Sequence, residues 1–297
     1  MNNQKSLGII ALLISAFLWA TASIFVKQLI EDIPPCFLLA ARYVLAAVAT
    51  IIIYAKRLKK IKKDMLIAGF WMGLFLFGQF ITFTIGLQYT TTSRSSFLIA
   101  SYIILLPLAY WIIRRKKPGV NDILVAVVCM IGICFILGGN LDGFQIGDLY
   151  CVACAADYAA YIVISAKYSR RYDGGLLNLI QITTTAILAT LCSLLVQDYH
   201  ISITPGQFGG LLYLAIGCSV IPFFLCIFGM KRVSTTTSGV LLSFECVFTS
   251  IMGILVLNEK MYWQFAIGGG IVVLAFILSE MPLMRMISKK SIRLRRL

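Results

Sequence analysis

The stretch IIIYAKRLKKIKKDMLIAGF, residues 51–70, contains the pattern that decides the fold. One apolar run ends at Tyr54, six Lys and Arg follow between residues 56 and 63, and a second apolar run begins at Met65. Ten such runs can be read along the chain, each close to the ~20 residues that a helix needs to cross a bilayer. They cover residues 6–27, 34–55, 65–87, 92–113, 121–138, 147–166, 174–196, 207–230, 235–257 and 263–284.

The composition indicates a protein whose solvent is mostly lipid. Of the 297 residues, 60% are hydrophobic and 13% are charged, whereas soluble domains carry about 25% charged residues. Ten spans with short loops use nearly the whole chain, so no separate soluble domain is expected. The first apolar run is longer than the core of a cleaved signal peptide, and we therefore interpret it as a retained helix.

The basic residues are distributed so that they predict an orientation. All but four of the 26 Lys and Arg lie in every second gap between the spans or at the chain ends. Cytoplasmic loops carry the Lys and Arg excess, so we expect a multi-pass protein of the inner (plasma) membrane with both termini cytoplasmic. Clusters at helix ends suit anionic headgroups. The expected partner of the net charge of +14 is therefore the lipid bilayer and not nucleic acid.

A weak internal repeat accompanies the ten spans. A shift of 143 residues places Gly86 on Gly229, Ser95 on Ser238 and Leu98 on Leu241. A shift of 145 instead superposes residues 90–93 on 235–238, so the register stays open.

Five helices per half is an odd number, so the second half must lie upside down relative to the first. Inverted repeats are typical of secondary transporters, whose substrate site lies near the middle of the membrane between the repeats. We predict an all-α membrane protein of ten transmembrane helices, arranged as two inverted five-helix repeats around a central cavity. The predicted units are residues 1–140, residues 141–284, and a basic cytoplasmic tail at 285–297.

Four segments together resemble the drug/metabolite transporter superfamily, EamA type. They are Ala16-Phe17-Leu18-Trp19-Ala20, Pro34 with Arg42-Tyr43, Gly86-Leu87-Gln88-Tyr89-Thr90, and Leu241-Leu242-Ser243-Phe244-Glu245 followed by Asn258-Glu259-Lys260. The family's ninth helix usually has Pro after its Glu, and here Cys246 follows, which changes the helix bend that is expected. The resemblance implies transport, often export, of amino acids and other small metabolites, but it names no substrate.

Three ionisable residues fall inside the spans, where they are costly and usually face a cavity. Glu245 lies halfway along the ninth span, and desolvation favours the protonated form of such a carboxyl. We predict that it binds substrate or couples protons, and the alternative is a neutral carboxyl that satisfies a neighbouring helix. Asp157 has the same two interpretations. For Arg42, snorkelling towards the extracellular headgroups is favoured over binding an anionic group.

Aromatic and amide side chains supply the remaining candidates for substrate binding. Trp19, Gln79 and Tyr102 lie well within their spans, and Tyr158 lies beside Asp157. A residue of these types in a span is more often a packing residue, and the family resemblance is what makes these four candidates for substrate binding. No metal or cofactor is expected, since the CxxC pair Cys151 and Cys154 has no second pair and no nearby His.

The predicted function is secondary transport of small polar metabolites, with export of amino acids or related compounds as the specific expectation. Proton coupling through Glu245 and Asp157 belongs to that hypothesis. The alternatives are an uncoupled facilitator or channel, and a membrane enzyme or lipid-handling protein. The chain has no nucleotide-binding loop and no HExxH or GxSxG motif, so we predict that it is not an enzyme. Close helix contacts at Gly69-Gly73 and Gly268–Gly270 are expected within the monomer or at a homodimer interface.

Overall fold

The computed structural model describes residues 3–90, 95, 98–136, 145–196, 203–257 and 263–280. Within these ranges the chain forms ten helices and no β-strand, in agreement with the all-α prediction. A six-residue 3₁₀ helix, Ala55–Lys60, follows the second helix and buries none of its residues. The ten helices are α1 Asn3–Leu29, α2 Pro35–Tyr54, α3 Lys63–Gly86, α4 Tyr102–Arg114, α5 Val120–Ile136, α6 Ile146–Tyr168, α7 Gly174–Val196, α8 Pro205–Met230, α9 Thr235–Leu257 and α10 Trp263–Glu280.

The helix lengths and surfaces are those of a multi-pass membrane protein. Among the described residues, six helices are long and apolar enough to cross a bilayer: α1, α2 with its 3₁₀ extension, α3, α6, α7 and α8. Large apolar side chains on the outside are exposed, including Leu195 at 85%, Val120 at 79% and Ile52 at 70%. A soluble monomer rarely leaves broad apolar patches in water, so these faces fit contact with lipid.

Local sequence signals set several helix starts. Pro35 occupies the first turn of α2, where its missing N–H costs no hydrogen bond. Before α8, the Thr204 backbone N–H donates to Gln207 Oε1 at 2.9 Å, and the Gln207 N–H donates to Thr204 Oγ1 at 3.3 Å. Gln145 and Asp148 form the same reciprocal box at the start of α6. Each box satisfies N–H groups that a helix start otherwise leaves without partners.

The helices pack in a definite set of pairs. Helix α2 lies along α7, α5 lies along α10, and α3 contacts both α6 and α7. Helix α1 contacts α8 and α9, while α4 contacts α6. A Cβ on Gly73 of α3 would lie 2.5 Å from Thr184 Cβ and 2.7 Å from the Gln181 carbonyl oxygen of α7. This glycine therefore serves close packing within the chain.

Helix α8 contains a wider segment just before Pro222. Residues Tyr213–Val220 form a π-helical segment, and the proline then interrupts the hydrogen-bond ladder because it has no N–H. Neighbouring helices donate to the carbonyl groups of this region: Asn178 Nδ2 of α7 to Val220 at 3.0 Å, and Ser15 Oγ of α1 to Pro222 at 2.9 Å. The interruption thus ties α8 to both neighbours.

Several residues used in the topology prediction lie outside the described ranges. They are residues 91–93 of the repeat comparison, Arg94, the Asn258-Glu259-Lys260 turn and the basic tail at 285–297. The tail and the cytoplasmic location of the termini stay predictions.

Candidate functional site

A small cavity lies among helices α1, α2, α3, α6 and α9. Its volume is about 40 Å³, which admits about three water molecules. A metabolite can therefore bind only after the walls move apart. The cavity is lined by Trp19, Ala22, Ser23, Arg42, Gln79, Phe80, Phe83, Ile99, Cys154, Tyr158 and Glu245.

Aromatic rings form one wall of this cavity. The Trp19 ring of α1 meets the Tyr158 ring of α6 edge to face, with centroids 6.2 Å apart. Phe223, one residue after Pro222 in α8, lies 5.1 Å from Trp19 and 5.9 Å from Phe80. Rings offset in this way pack favourably beyond their buried area, so the wall is a shared aromatic cluster of four helices.

Arg42 is fully buried, with 2% of its surface exposed, and the snorkelling interpretation is wrong. Its Nε donates to Ser219 Oγ at 2.8 Å, and its Nη2 donates to the Cys218 carbonyl at 2.9 Å. The guanidinium also lies 4.8 Å from the Phe80 ring centroid. The Cys218 carbonyl belongs to the π-helical segment of α8, so this segment supplies an acceptor that holds Arg42 inside the protein.

The charge of Arg42 has no carboxylate partner among the described residues, where its polar partners are Ser219 and the Cys218 carbonyl. A buried cation is costly without a partner. Hydrogen bonds and a ring contact cover part of the guanidinium, and Arg42 also lines the cavity. The site therefore presents a positive group to whatever enters it.

Glu245 of α9 supplies a carboxyl group to the same cavity, and it is half-buried there. Three further polar atoms on the cavity-lining side chains are buried without a hydrogen-bond partner in the described part of the chain: Trp19 Nε1, Gln79 Oε1 and Tyr158 OH. Buried polar groups in folded proteins are nearly always paired. A cluster of unpaired ones at a cavity indicates a place where a ligand or water completes the hydrogen bonds.

Two of the predicted residues do not line the cavity. Tyr102 lies behind Tyr158, with ring centroids 4.4 Å apart, and its OH donates to the Gly239 carbonyl at 2.7 Å. The carboxyl of Asp157 faces α3, where it lies against the position of a Cβ on Gly78. The structure thus brings Trp19, Gln79, Tyr158 and Glu245 together and places Tyr102 and Asp157 outside them. Their assignment to substrate binding stays a prediction.

A second, larger cavity of about 230 Å³ lies near the ends of α4, α5, α6 and α9. Two of its polar side chains have partners within the protein: Thr236 Oγ1 donates to Asp122 Oδ1 at 2.6 Å, and Arg170 Nη2 donates to the Val233 carbonyl at 2.7 Å. In the predicted orientation it opens to the cytoplasm. The smaller central cavity is the candidate site, because buried polar atoms without a partner in the described residues lie on its lining side chains.

Sequence reasoning missed three members of the site. Phe80 and Phe223 are unremarkable in apolar helices, and only the fold shows that the Phe223 ring packs against Phe80, which lines the cavity. Ser219 holds Arg42 from a position 177 residues away in the chain. A signal was present in Pro222, because a proline inside a span frees a carbonyl that a buried donor can use.

Comparison with known proteins gives a consistent result. A model of the EamA-like transporter family matches residues 6–138 and again residues 145–281. Two proteins of Archaeoglobus fulgidus, each named an uncharacterized transporter, are 26% and 24% identical to this chain. The first match covers 71% of this chain and 67% of the relative, and the second covers 92% and 96%. An uncharacterized transporter of Clostridium kluyveri is 23% identical over 92% of both chains.

A solved crystal structure also has this fold. It superposes with a TM-score of 0.77 at 19% identity and covers 95% of this chain and 99% of its own. At this identity the likeness shows the fold alone.

Proposed function

This chain belongs to the EamA-like transporter family, and from that premise we propose that it is a secondary active transporter that exports amino acids or related small polar metabolites. Membership in the family and the names of its relatives make it a membrane transporter. The direction, the substrate class and the coupling belong to our proposal.

The pairing of helices supports two inverted five-helix repeats. If α1–α5 correspond to α6–α10, each contact in one half should have a counterpart. The α3–α6 contact corresponds to α8–α1, and α4–α6 corresponds to α9–α1; both members of each pair occur. The pairs α2–α7 and α5–α10 correspond to themselves, and they are the two most extensive. A two-fold relation between the halves accounts for all of these pairs.

Glycine contacts support the same relation in detail. A Cβ on Gly86 of α3 would meet the Gly147 carbonyl oxygen and Cys151 Sγ of α6. A Cβ on Gly229 of α8 would meet the Gly8 carbonyl oxygen and the Leu12 side chain of α1. Cys151 follows Gly147 by four residues, as Leu12 follows Gly8. The shift of 143 residues from Gly86 to Gly229 therefore fits the fold.

We propose residues 1–140 and 141–284 as the two repeats, with 285–297 as a basic cytoplasmic tail. The family model matches the chain twice, once in each proposed half. Basic residues in alternate gaps support cytoplasmic termini and the inner (plasma) membrane. Rocking one repeat against the other would open the central cavity to each side in turn.

The chemistry of the central cavity supports a zwitterionic substrate. Arg42 offers a cation that has no carboxylate partner, and Glu245 offers a carboxyl group to the same cavity. An amino acid carries one group for each. Trp19 Nε1 requires an acceptor and Gln79 Oε1 requires a donor, so a substrate with both completes the site. This arrangement of a buried cation, a carboxyl group and unpaired polar atoms around one cavity is the observation that carries the proposal.

Glu245 is our proposed proton-coupling group, because it is the carboxyl that both lines the cavity and lies within a helix of the second half. We propose Asp157 as a second group in proton coupling; it follows the cavity-lining Cys154 by three residues. A proton taken up by Glu245 would weaken its hold on an ammonium group and favour release.

The test is uptake of radiolabelled L-amino acids into proteoliposomes with and without a pH gradient. We expect stimulation by the gradient in the unaltered protein and its loss in Glu245→Gln. Undiminished uptake with unchanged pH dependence would remove Glu245 from the mechanism. Uptake without any effect of the gradient in either protein would indicate an uncoupled facilitator, and chemical conversion of the solute without net movement would indicate an enzyme.

A further inference from the structure

Two cysteine side chains face each other at one end of the α2–α7 pair. Cys36, in the first turn of α2, has its Sγ 3.6 Å from the Sγ of Cys192, which lies one turn before the end of α7. Both thiols are free. Cys36 is buried with 8% exposed, and Cys192 is half-buried, so Cys192 is the more accessible thiol of the two.

The register of the two helices holds these thiols opposite each other. Helices α2 and α7 run antiparallel, since the start of α2 meets the end of α7. At the far end of the pair, Tyr54 lies against Gly175, where a Cβ would come within 2.6 Å of Tyr54 Cζ. Contacts at both ends of the pair fix the register of α2 against α7. The two sulfur atoms need to approach by only about 1.6 Å to reach bonding distance.

We propose that Cys36 and Cys192 form a disulfide modification site through which the redox state outside the cell controls transport. In the first step, the Cys192 thiolate attacks a small-molecule disulfide, forms a mixed disulfide and releases one thiol. The Cys36 thiolate then attacks Cys192 Sγ and displaces the second thiol. Two protein thiols become one disulfide, and the oxidant is reduced to two thiols.

The consequence for transport rests on the proposed function. Cys36 belongs to the first proposed repeat and Cys192 to the second, so the bond joins the two halves covalently. In the proposed orientation it does so at the extracytoplasmic end, where oxidants are present. Alternating access requires the halves to move relative to each other. A bond across α2 and α7 therefore holds one state and stops the cycle.

The modification is tested first without reference to transport. Protein in lipid nanodiscs is treated with oxidised glutathione, denatured in SDS, and its thiols are counted by the gel shift with PEG-maleimide. We expect the unaltered protein to lose two of its nine thiols. Each of the single variants Cys36→Ser and Cys192→Ser should lose no pair of thiols when it is treated with oxidised glutathione. Peptide mass spectrometry of the unaltered, oxidised protein should find the 36–192 cross-link, which checks the assignment without any variant.

Cys134→Ser is the matched control, because this exposed cysteine lies near the end of α5 and its loss leaves the pair intact. It should still lose two thiols on oxidation. Retention of all nine thiols by the unaltered protein, or a mapped cross-link between other cysteines, would overturn the proposed site.

The control of transport is tested in proteoliposomes with radiolabelled L-amino acids. Oxidation should abolish uptake by the unaltered protein, dithiothreitol should restore it, and both single serine variants should be insensitive. Equal uptake by the reduced and the fully cross-linked protein would overturn the switch. Absence of uptake by the reduced protein would instead count against the proposed function, because the thiol count stands independently of transport.

Discussion

Two tyrosines that pack against each other allow a sharp test of the candidate site. The substitution Tyr→Phe should change the free energy of unfolding in opposite directions at the two positions. Tyr158 lines the cavity and its buried OH has no partner in the described structure. Tyr102 lies 4.4 Å behind it, and its OH donates to the Gly239 carbonyl. Tyr158→Phe removes an unsatisfied group, whereas Tyr102→Phe breaks a hydrogen bond.

The magnitudes follow from these surroundings. A buried polar group without a partner costs ~1–3 kcal/mol, and a hydrogen bond contributes ~1 kcal/mol. We expect Tyr158→Phe to raise the free energy of unfolding by about 1 kcal/mol. If Tyr158 bonds to the substrate, losing that bond raises the apparent KM about fivefold. Tyr102→Phe should lower the free energy of unfolding by about 1 kcal/mol, because it removes the hydrogen bond to the Gly239 carbonyl.

The assays are thermal unfolding in detergent and the concentration dependence of amino acid uptake in proteoliposomes. A variant Tyr158→Phe with reduced stability and unchanged KM would refute the reasoning. So would a Tyr102→Phe variant whose KM rises more than that of Tyr158→Phe, because Tyr102 does not line the cavity.

Two further predictions concern packing and charge. Gly73→Leu should lower the unfolding free energy by about 3 kcal/mol, because α7 leaves no space for a side chain. Gly209→Ala should not lower it, because no atom lies within 4 Å of the added Cβ. Equal losses of unfolding free energy in both variants would contradict this account. Arg42→Met should reduce kcat/KM about thirtyfold through loss of about 2 kcal/mol of charge-assisted bonding, with thermal stability nearly unchanged because it also removes a buried unpaired charge. Uptake by Arg42→Met at the level of the unaltered protein would remove Arg42 from substrate binding.

The sequence predicted the helices well because a bilayer requires apolar runs of one length, and these runs are visible without any tertiary information. It also predicted that Glu245 faces a cavity, since an ionisable side chain in mid-span needs a reason to be there. Both signals depend on the span alone. They therefore survive in a single sequence.

Other parts of the site depend on contacts between distant segments, and no local pattern contains them. Arg42 lies close enough to a helix end to reach the headgroups, and only its bond to Ser219 of α8 shows that it turns inwards. The π-helical segment before Pro222 widens α8 by a change in hydrogen bonding that residue type alone does not specify. The same holds for Asp157, whose direction is set by the rotation of α6 against α3.

Cys154 offers the most direct measurement of alternating access, because this native thiol lines the central cavity. In a variant whose other cysteines are replaced by serine, a membrane-impermeant methanethiosulfonate reagent is applied to one side of oriented vesicles at a time. A path that opens to each side in turn predicts modification of Cys154 from both sides, slowed by transported amino acid. Modification from one side only, or from neither, would contradict it.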